Sequence, residues 1–314
     1  MDVTIIILNW NTCALLEQCL TALYQAPPVC TFDAWVVDNA STDDSVAMVR
    51  RGFPQVQVLS NTANLGFASA NNQVLRRAGA RYALLLNSDA ILPPAGLDRL
   101  VAVLDARPHA AAVGPLYCNA DGSFQASFAD FPRLGNELLQ LVGLARRLYG
   151  RYYPSHGPEA SRLERQADWV PGACLLIRMA AVSAVGLLDE DFYFYSEEVD
   201  WCFRLRQRGW EVWYCPSVEV KHYLGQSARR SSEIALWNLY RGKLRFFAKH
   251  YGAVQTTILK WGLVLYLGVR SLAALLLTPS SWHDPLAWRV YWRLAGRMVA
   301  ESGVIITPGK SPAC

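Results

Sequence analysis

Asp89 closes an apolar run, Tyr82-Ala-Leu-Leu-Leu-Asn-Ser-Asp89, just ahead of the breaker Pro93-Pro94. A continuous apolar run of this length fits a strand buried on both faces. Its end sets Asp89 at the carboxyl edge of a sheet, where open α/β folds bind their ligands. A carboxylate there, with Asn87 and the small Ser88 before it, can hold a hard divalent cation against a diphosphate. The plainer alternative is that Asn87 and Asp89 only cap the loop into the next helix. A second acidic block, Ser196-Glu197-Glu198-Val-Asp200, opens a helix that runs to Gly209. Acids favour a helix's positive end, and Asp200 and Arg204 have the i,i+4 spacing of a surface pair, so the block also reads as a well-started helix capped by Ser196. Adjacent helical residues point about 100° apart, however, so one of Glu197 and Glu198 can face a cleft while the other does not. His222 ends a strand-like stretch, Ser217–Lys221. A lone histidine is more often structural, but one at a strand end in a chain with a candidate metal carboxylate is a candidate second ligand.

The elements that must position these groups follow from periodicity. Val3–Asn9 is a β-branched run, and Leu15, Leu16, Cys19, Leu20 and Leu23 then recur at helical spacing. Ala34–Asp38 is a second strand ending in a carboxylate, and Gln55–Leu59 a short third. Asn61–Gly66 is a polar loop before a helix to Arg77; the Tyr82–Asp89 strand, a helix near Ala95–Ala106 and a strand at Ala110–Gly114 follow. Such alternation predicts βαβ units and a mostly parallel sheet. Right-handed crossovers then gather Asn9, Asp38 and Asp89 on one sheet edge. No Gly-x-Gly-x-x-Gly follows the first strand, so a nucleotide here would be held by side-chain carboxylates and a metal rather than a glycine cradle. Residues 115–168 read as a variable insertion with a helix at Asn136–Leu148. Trp169–Arg178 is a turn leading into a buried strand, and Gly172 permits close approach to the backbone. Trp210–Cys215 and Ser217–Lys221 read as two short strands.

Composition bounds the rest. Hydrophobic residues make up 52% of 314 and charged residues 18%, the balance of a core-forming chain rather than a disordered one. Residues 1–220 carry 17 Lys/Arg and 23 Asp/Glu, residues 221–314 carry 13 and three. That asymmetry directs the C-terminal part toward an anionic partner. The eight scattered cysteines include no Cys-x-x-Cys, which argues against zinc or a disulfide framework and for a reducing cytosol. The N-terminus lacks a secretory pattern. Ile258–Leu277 has the length of a membrane span but is interrupted by Lys260 and Arg270, which fall on one side with Ser271. Pro285–Ala300 sets Arg289, Arg293 and Arg297 beside Trp288 and Trp292, the pattern of a helix lying in a membrane surface.

Together the motifs Ile7–Asn11, Val36–Asp43, Asn64–Asn72, Leu86–Asp89, Gly172–Arg178, Gly186–Asp189, Tyr195–Trp201 and His222 resemble family 2 glycosyltransferases of the GT-A fold, in their rhamnosyltransferase-like branch. The resemblance runs from about residue 3 to about residue 250, and its strength lies in the motifs' order. It implies a catalytic domain over 1–250, with a nucleotide-binding half (1–114) and an acceptor half (115–250); the basic, Trp-bearing pattern beyond it makes 251–314 the expected membrane-associating helical region. It implies that Asp38 meets the donor's pyrimidine, that Asn9, Asn64, Gly66, Asn87 and Ser88 line the donor, and that Asp89 and His222 hold Mg²⁺ or Mn²⁺. Asn87 stands in the first position of the family's Asp-x-Asp motif, and His222 would offset that missing acid. Glu198 aligns with the catalytic base, where many relatives have Asp; a free Glu is ionised at neutral pH without tuning. Trp169, beside the Gly172 turn, and Glu197 are candidates to bind the acceptor. The expected reaction is inverting transfer from deoxythymidine-diphosphate rhamnose or a uridine-diphosphate sugar to a lipid-linked saccharide, on the inner face of the cell membrane and without nucleic acid.

Three other readings compete. A nucleotidyltransferase would show a Gly-rich, basic N-terminal loop, and Ile7–Thr12 has neither Gly nor Lys/Arg. A non-catalytic nucleotide-sugar-binding module would treat Asn87 and Glu198 as degenerate positions. A nucleic-acid binder using the basic C-terminus is opposed by the apolar 258–277 helix.

Overall fold

The first four strands alternate with helices as expected: β1 (Val3–Asn9), α1 (Cys13–Gln25), β2 (Phe32–Asp38), α2 (Ser45–Gly52), β3 (Gln57–Ser60), α3 (Gly66–Leu75) and β4 (Tyr82–Asn87); a two-residue strand the sequence did not suggest, β5 (Ala90–Ile91), precedes α4 (Gly96–Asp105). Then come β6 (Ala110–Cys118), β7 (Phe124–Gln125), α5 (Leu134–Leu141), α6 (Ala145–Tyr149), a 3₁₀ turn at Ala160–Arg162, β8 (Arg165–Ala167), β9 (Cys174–Arg178), α7 (Met179–Val185), α8 (Glu197–Gln207), β10 (Glu211–His222), α9 (Ser232–His250), α10 (Gly252–Leu276) and α11 (Ala287–Ala300). The structure, a computed structural model, describes residues 1–223, 232–276 and 287–300. Leu277, Pro285 and Cys314, which figured in the sequence reading, lie outside the described residues.

These residues form two compact units, Met1–Phe131 with Tyr152–Arg230, and Pro132–Arg151 with Ser231–Cys314. The first holds one mixed sheet, ordered β3-β2-β1-β4-β9-β6-β10-β5, with β7 on β6 and β8 on β10. The half from β3 to β4 is parallel and in the expected register, Asn9 opposite Asp38 and Leu8 opposite Asn87. β9 then enters antiparallel between β4 and β6, with Leu86 opposite Cys174. A strand covered on both faces is apolar whichever way it runs, so its direction left no mark on the pattern. The two covering layers are separate cores. One buries Leu16, Leu20, Leu100 and Leu104 against β1 and β4; the other buries Val74, Trp201 and Leu205 on the opposite face.

Two local features steer the site. The stretch expected as two strands is the single strand β10, whose register against β6 slips between Cys215 and Glu219. Pro216 sits in that slip; lacking an N–H, it is tolerated in a sheet only at such irregularities. Beyond the slip, the end of β10 pairs antiparallel with β5, setting His222 opposite Ala90. At the other end of the acidic helix, Gly209 takes φ +80, with Trp210 N–H bonded to Leu205 C=O and Gly209 N–H to Arg206 C=O. This is the Schellman closure expected of a helix-ending glycine.

Two sequence expectations for α8 are corrected. Ser196 makes no side-chain cap; it and Tyr195 both hold φ +73, a left-handed pair of non-glycine residues immediately before the glutamates. Asp200 pairs with Arg204 as expected, but in the interior: Arg204 Nε donates to Asp200 Oδ2 at 2.8 Å, and its other nitrogens reach the Val185 and Leu187 carbonyls. The seven described cysteines are free, and burial pushes the Cys19 thiol up to about 12, in line with cysteines acting as small core residues.

The second unit contains α5, α6 and α9 to α11. The expected helix at Asn136–Leu148 is two helices, broken at Gly143, φ +75. Lys243 donates to the buried Glu137 at 2.6 Å. α10 is long and apolar enough to cross a membrane by length and composition. The arginine stripe of α11 is partly engaged within the unit: Arg293 pairs with Glu233 and Arg297 lies 4.2 Å over the Trp237 ring.

Candidate active site

The carboxyl edge of β1, β2 and β4 carries a connected polar network. Asn9 and Asp38 are both buried, and Asn9 Nδ2 donates to Asp38 Oδ1 at 2.9 Å and to Ser41 Oγ at 3.2 Å. Ser41 N–H donates to the other Asp38 oxygen at 2.9 Å. Asn9 Oδ1 accepts from Thr12 Oγ1 at 2.8 Å, and Thr12 Oγ1 lies 2.7 Å from Ser88 Oγ. Asp38 is thus fixed as an acceptor, and a carboxylate with about four lone-pair sites retains capacity for a ligand N–H. Ser41 and Thr12 escaped the sequence reading because neither stands out by type; the parallel register of β1, β2 and β4 brings them together.

The loop after β3 is held by Asn39. Its Nδ2 donates to Asn64 Oδ1 at 3.2 Å and Gly66 C=O at 3.0 Å, and its Oδ1 accepts from Asn61 Nδ2 at 3.0 Å. Asn64 Oδ1 also accepts the Gly66 N–H at 3.0 Å, so this oxygen shapes the loop. Gly66 has φ +79, and a Cβ there would stand 2.1 Å from the Tyr193 carbonyl oxygen, to which Phe67 N–H donates at 2.8 Å. Only glycine allows that approach.

Asp89 and His222 meet where β5 joins β10. His222 Nε2 lies 3.5 Å from Asp89 Oδ1, and both side chains are largely buried. Gln125, on the β6–β7 hairpin, fixes the imidazole. Its Nε2 donates to Asn119 Oδ1 at 3.0 Å and to the His222 C=O at 3.3 Å, so its Oε1 is the atom 2.8 Å from His222 Nδ1. In a neutral ring, Nδ1 then carries the hydrogen and Nε2 presents a lone pair toward the Asp89 carboxylate. Two acceptors facing each other at this distance suit a shared divalent cation, and the glutamine is the outer partner that metal-ligating histidines commonly use. No group of three or more His, Cys, Asp or Glu is arranged to hold a metal among the described residues, so this pair would supply at most two of a cation's ligands. Gln125 lies in the stretch read as a variable insertion; nothing in its local sequence marks it.

Tyr117 links this corner to the acidic helix. Its ring centroid is 5.6 Å from that of His222, and its hydroxyl is 2.8 Å from Cys174 N and 3.2 Å from Pro171 C=O. Between those two residues lies Gly172, where a Cβ would come 3.8 Å from Glu198 Cβ and 3.0 Å from Phe67. Asn87 N–H donates to the neighbouring Ala173 C=O at 2.8 Å, tying the end of β4 to the same turn. Trp169 is positioned by Nε1–H bonding to Asp130 C=O at 3.1 Å.

The two glutamates differ as their 100° separation requires. Glu197 turns inward and is only 4% exposed; burial, with the neighbouring Glu198 charge, holds its carboxyl well above the usual range. Glu198 is partly exposed beside Gly172, and burial of its carboxyl raises its pKa from 4.5 to about 7. One oxygen of each is buried without a hydrogen-bond partner among the described residues. The expectation that Glu198 needs no tuning is therefore corrected: the site does tune it, by desolvation.

The profile of "Glycosyl transferase family 2" matches residues 4–169. The N-acetylglucosaminyl-diphospho-decaprenol L-rhamnosyltransferase of Mycobacterium tuberculosis is 30% identical over 254 residues, covering 75% of this chain and 81% of that protein. Rhamnosyltransferase WbbL of Escherichia coli is 24% identical over 194 residues, covering 59% and 70%. Among solved structures, a mannosyltransferase of Pyrobaculum calidifontis in complex with GDP-Man and Mn²⁺ superposes with a TM-score of 0.56 at 17% identity, covering 99% of this chain and 88% of that one, a likeness of fold. With a profile match over more than half its length and a relative of that identity, the chain belongs to glycosyl transferase family 2.

Proposed function

We propose that the protein transfers L-rhamnose from deoxythymidine-diphosphate rhamnose to a hydroxyl of a lipid-linked saccharide, with inversion at the anomeric carbon, at the inner face of the cell membrane. The reading is carried by one observation: the acceptor pair Asp89–His222 lies on the same sheet edge as Asp38, and Tyr117 connects it to the turn beside Glu198. Rhamnose and the lipid-linked acceptor are carried over from the names of the relatives; a uridine-diphosphate sugar remains the second donor to test.

In this reading Asp38 accepts an N–H from the pyrimidine, with Asn9, Ser88, Asn87 and the Asn64–Gly66 loop around the donor. Asp89 and the Nε2 of His222 would hold Mg²⁺ or Mn²⁺, which when bound would neutralise charge on the departing diphosphate. Glu198 takes the proton from the acceptor hydroxyl as that oxygen bonds to the anomeric carbon and the bond to the diphosphate breaks on the opposite face. A base near pH 7 is well matched to this task, and such a base contributes about 10²–10⁴-fold. Glu197, whose carboxyl burial and the neighbouring Glu198 charge push above the usual range, stands behind it. Trp169 and the Gly172 turn flank the acceptor.

The experiment is a thermal-shift screen of nucleotide sugars with and without Mn²⁺, followed by a transfer assay on a polyprenyl-diphosphate-linked N-acetylglucosamine. The expected result is a Mn²⁺-dependent rise in melting temperature with the rhamnose donor, since a ligand of the folded state stabilises it by mass action. Absence of any nucleotide-sugar shift, or binding without turnover on saccharide acceptors, refutes the proposal.

A further inference from the structure

α10 wears its apolar residues outward. Ile258, Trp261, Leu265, Val269, Leu272 and Leu276 recur three or four positions apart along one face, each 45–69% exposed. The inner face buries Leu259, Leu263 and Leu267 together with polar residues. Lys260 and Ser271 are buried, Ser271 Oγ donates to the Trp288 C=O at 2.8 Å, and Arg270 donates to the Tyr291 hydroxyl at 3.2 Å. A helix on a water-soluble surface does the reverse. At 1.5 Å per residue the helix is about 37 Å long, so this outward stripe is too large to be a scatter of exposed apolar side chains.

A second apolar surface lies in the same unit. Val142, Leu144, Leu148 and Tyr149, at and after the end of α5, are exposed, with exposed Arg146 and Arg147 between them. α5 packs against the middle of α10, where Leu138 stands 3.0 Å from the position of a Cβ on Gly262. The unit's charge matches: its two segments carry 14 Lys/Arg and four Asp/Glu, whereas the first unit carries 16 and 22.

We infer that α10 lies in the plane of an anionic lipid leaflet, its outward stripe among the acyl chains, with the 142–149 segment as a second, arginine-bearing contact. Lipid is favoured over a second copy of the chain because a unit of net +10 repels its like and attracts anionic headgroups. The helix lies flat rather than crossing because its inner face is tied to α11, which carries Arg289, Arg293 and Arg297, and its neighbours α5 and α9 hold the Glu137–Lys243 pair. A crossing would carry these charges into hydrocarbon, whereas a basic amphipathic surface keeps them at the headgroups. The inference deepens the membrane part of the proposed function and rests on it for its biological meaning, but not on the donor chemistry.

The test is flotation of the full chain with vesicles of phosphatidylcholine alone or with 30% phosphatidylglycerol, taken as a probe composition of about a third anionic lipid. Wild type should float with the anionic vesicles. Leu265→Glu with Val269→Glu should reduce that binding at least tenfold, and Arg146→Ser with Arg147→Ser should remove most of the preference for anionic lipid. Both variants change exposed side chains, and each should retain the wild-type melting temperature and nucleotide-sugar binding, so failure of lipid docking and failure of the transferase reading are told apart. A measurement without substitution is quenching of wild-type tryptophan emission by brominated lipid, expected from Trp261. Flotation unchanged by the glutamates, a wild-type dimer in sedimentation that the glutamates dissociate, resistance of the bound protein to alkaline carbonate extraction, or no quenching by brominated lipid would each overturn the inference.

Discussion

Glu198→Gln separates a tuned base from a merely buried acid. Folding raises the Glu198 pKa from 4.5 to about 7, chiefly by desolvation, so the folded protein holds this proton more tightly than the unfolded chain does. The associated stability is fully present below pH 4.5 and is lost as pH rises through about 7. That rise corresponds to about 3 kcal/mol at full ionisation, an upper figure because the side chain is partly exposed. A neutral glutamine of the same shape escapes the loss. In thermal unfolding, Glu198→Gln should therefore gain stability relative to wild type at pH 8, by on the order of 5 °C, and gain little at pH 4.5. Transfer should behave oppositely. Wild-type kcat/KM should fall about tenfold per pH unit below pH 7, as the base protonates, and Glu198→Gln should lose about 10²–10⁴-fold at pH 8. The paired assay is rhamnosyl transfer across pH 5–9 alongside calorimetry at the two pH values. Full activity in the variant, or a pH profile flat down to pH 5, refutes the base; equal melting-temperature differences at both pH values refute the desolvation argument.

Other perturbations probe the neighbouring parts. Gln125→Leu should weaken Mn²⁺ binding about 10–100-fold with the melting temperature little changed, because the imidazole loses its outer partner; a paramagnetic titration of Mn²⁺ reads this directly. Asp89→Ala should abolish Mn²⁺-dependent transfer while far-ultraviolet dichroism stays as wild type. Asp200→Ala should cost about 3–5 kcal/mol in denaturant unfolding, since Arg204 is left as an unpaired charge in the interior. Gly66→Ala should destabilise the fold well beyond the usual ~1 kcal/mol of a glycine replacement, because its methyl meets the Tyr193 carbonyl at 2.1 Å; urea unfolding measures it.

What the sequence by itself determined was the parallel half of the first unit's sheet. The apolar runs ending in Asn9, Asp38 and Asp89 encode buried parallel strands, and parallel strands in register gather their ends on one edge, so periodicity alone located that edge. The paired glutamates were legible as residues but not as an assignment: helical geometry required them to diverge, and only packing decided that Glu198 lies beside the Gly172 turn and Glu197 deeper in the interior. The direction of β9 was decided by tertiary structure, because burial on both faces erases the pattern that would have revealed it. So were Gln125 and Tyr117, whose importance lies in partners 97 and 57 residues away. In α10 the sequence set Lys260, Arg270 and Ser271 on one side of an apolar helix, but which face is left exposed depended on where α5 and α11 pack. Local sequence fixes what a strand or helix can bury; which side chains then meet depends on contacts between distant segments, and those are set by the packing of the whole fold.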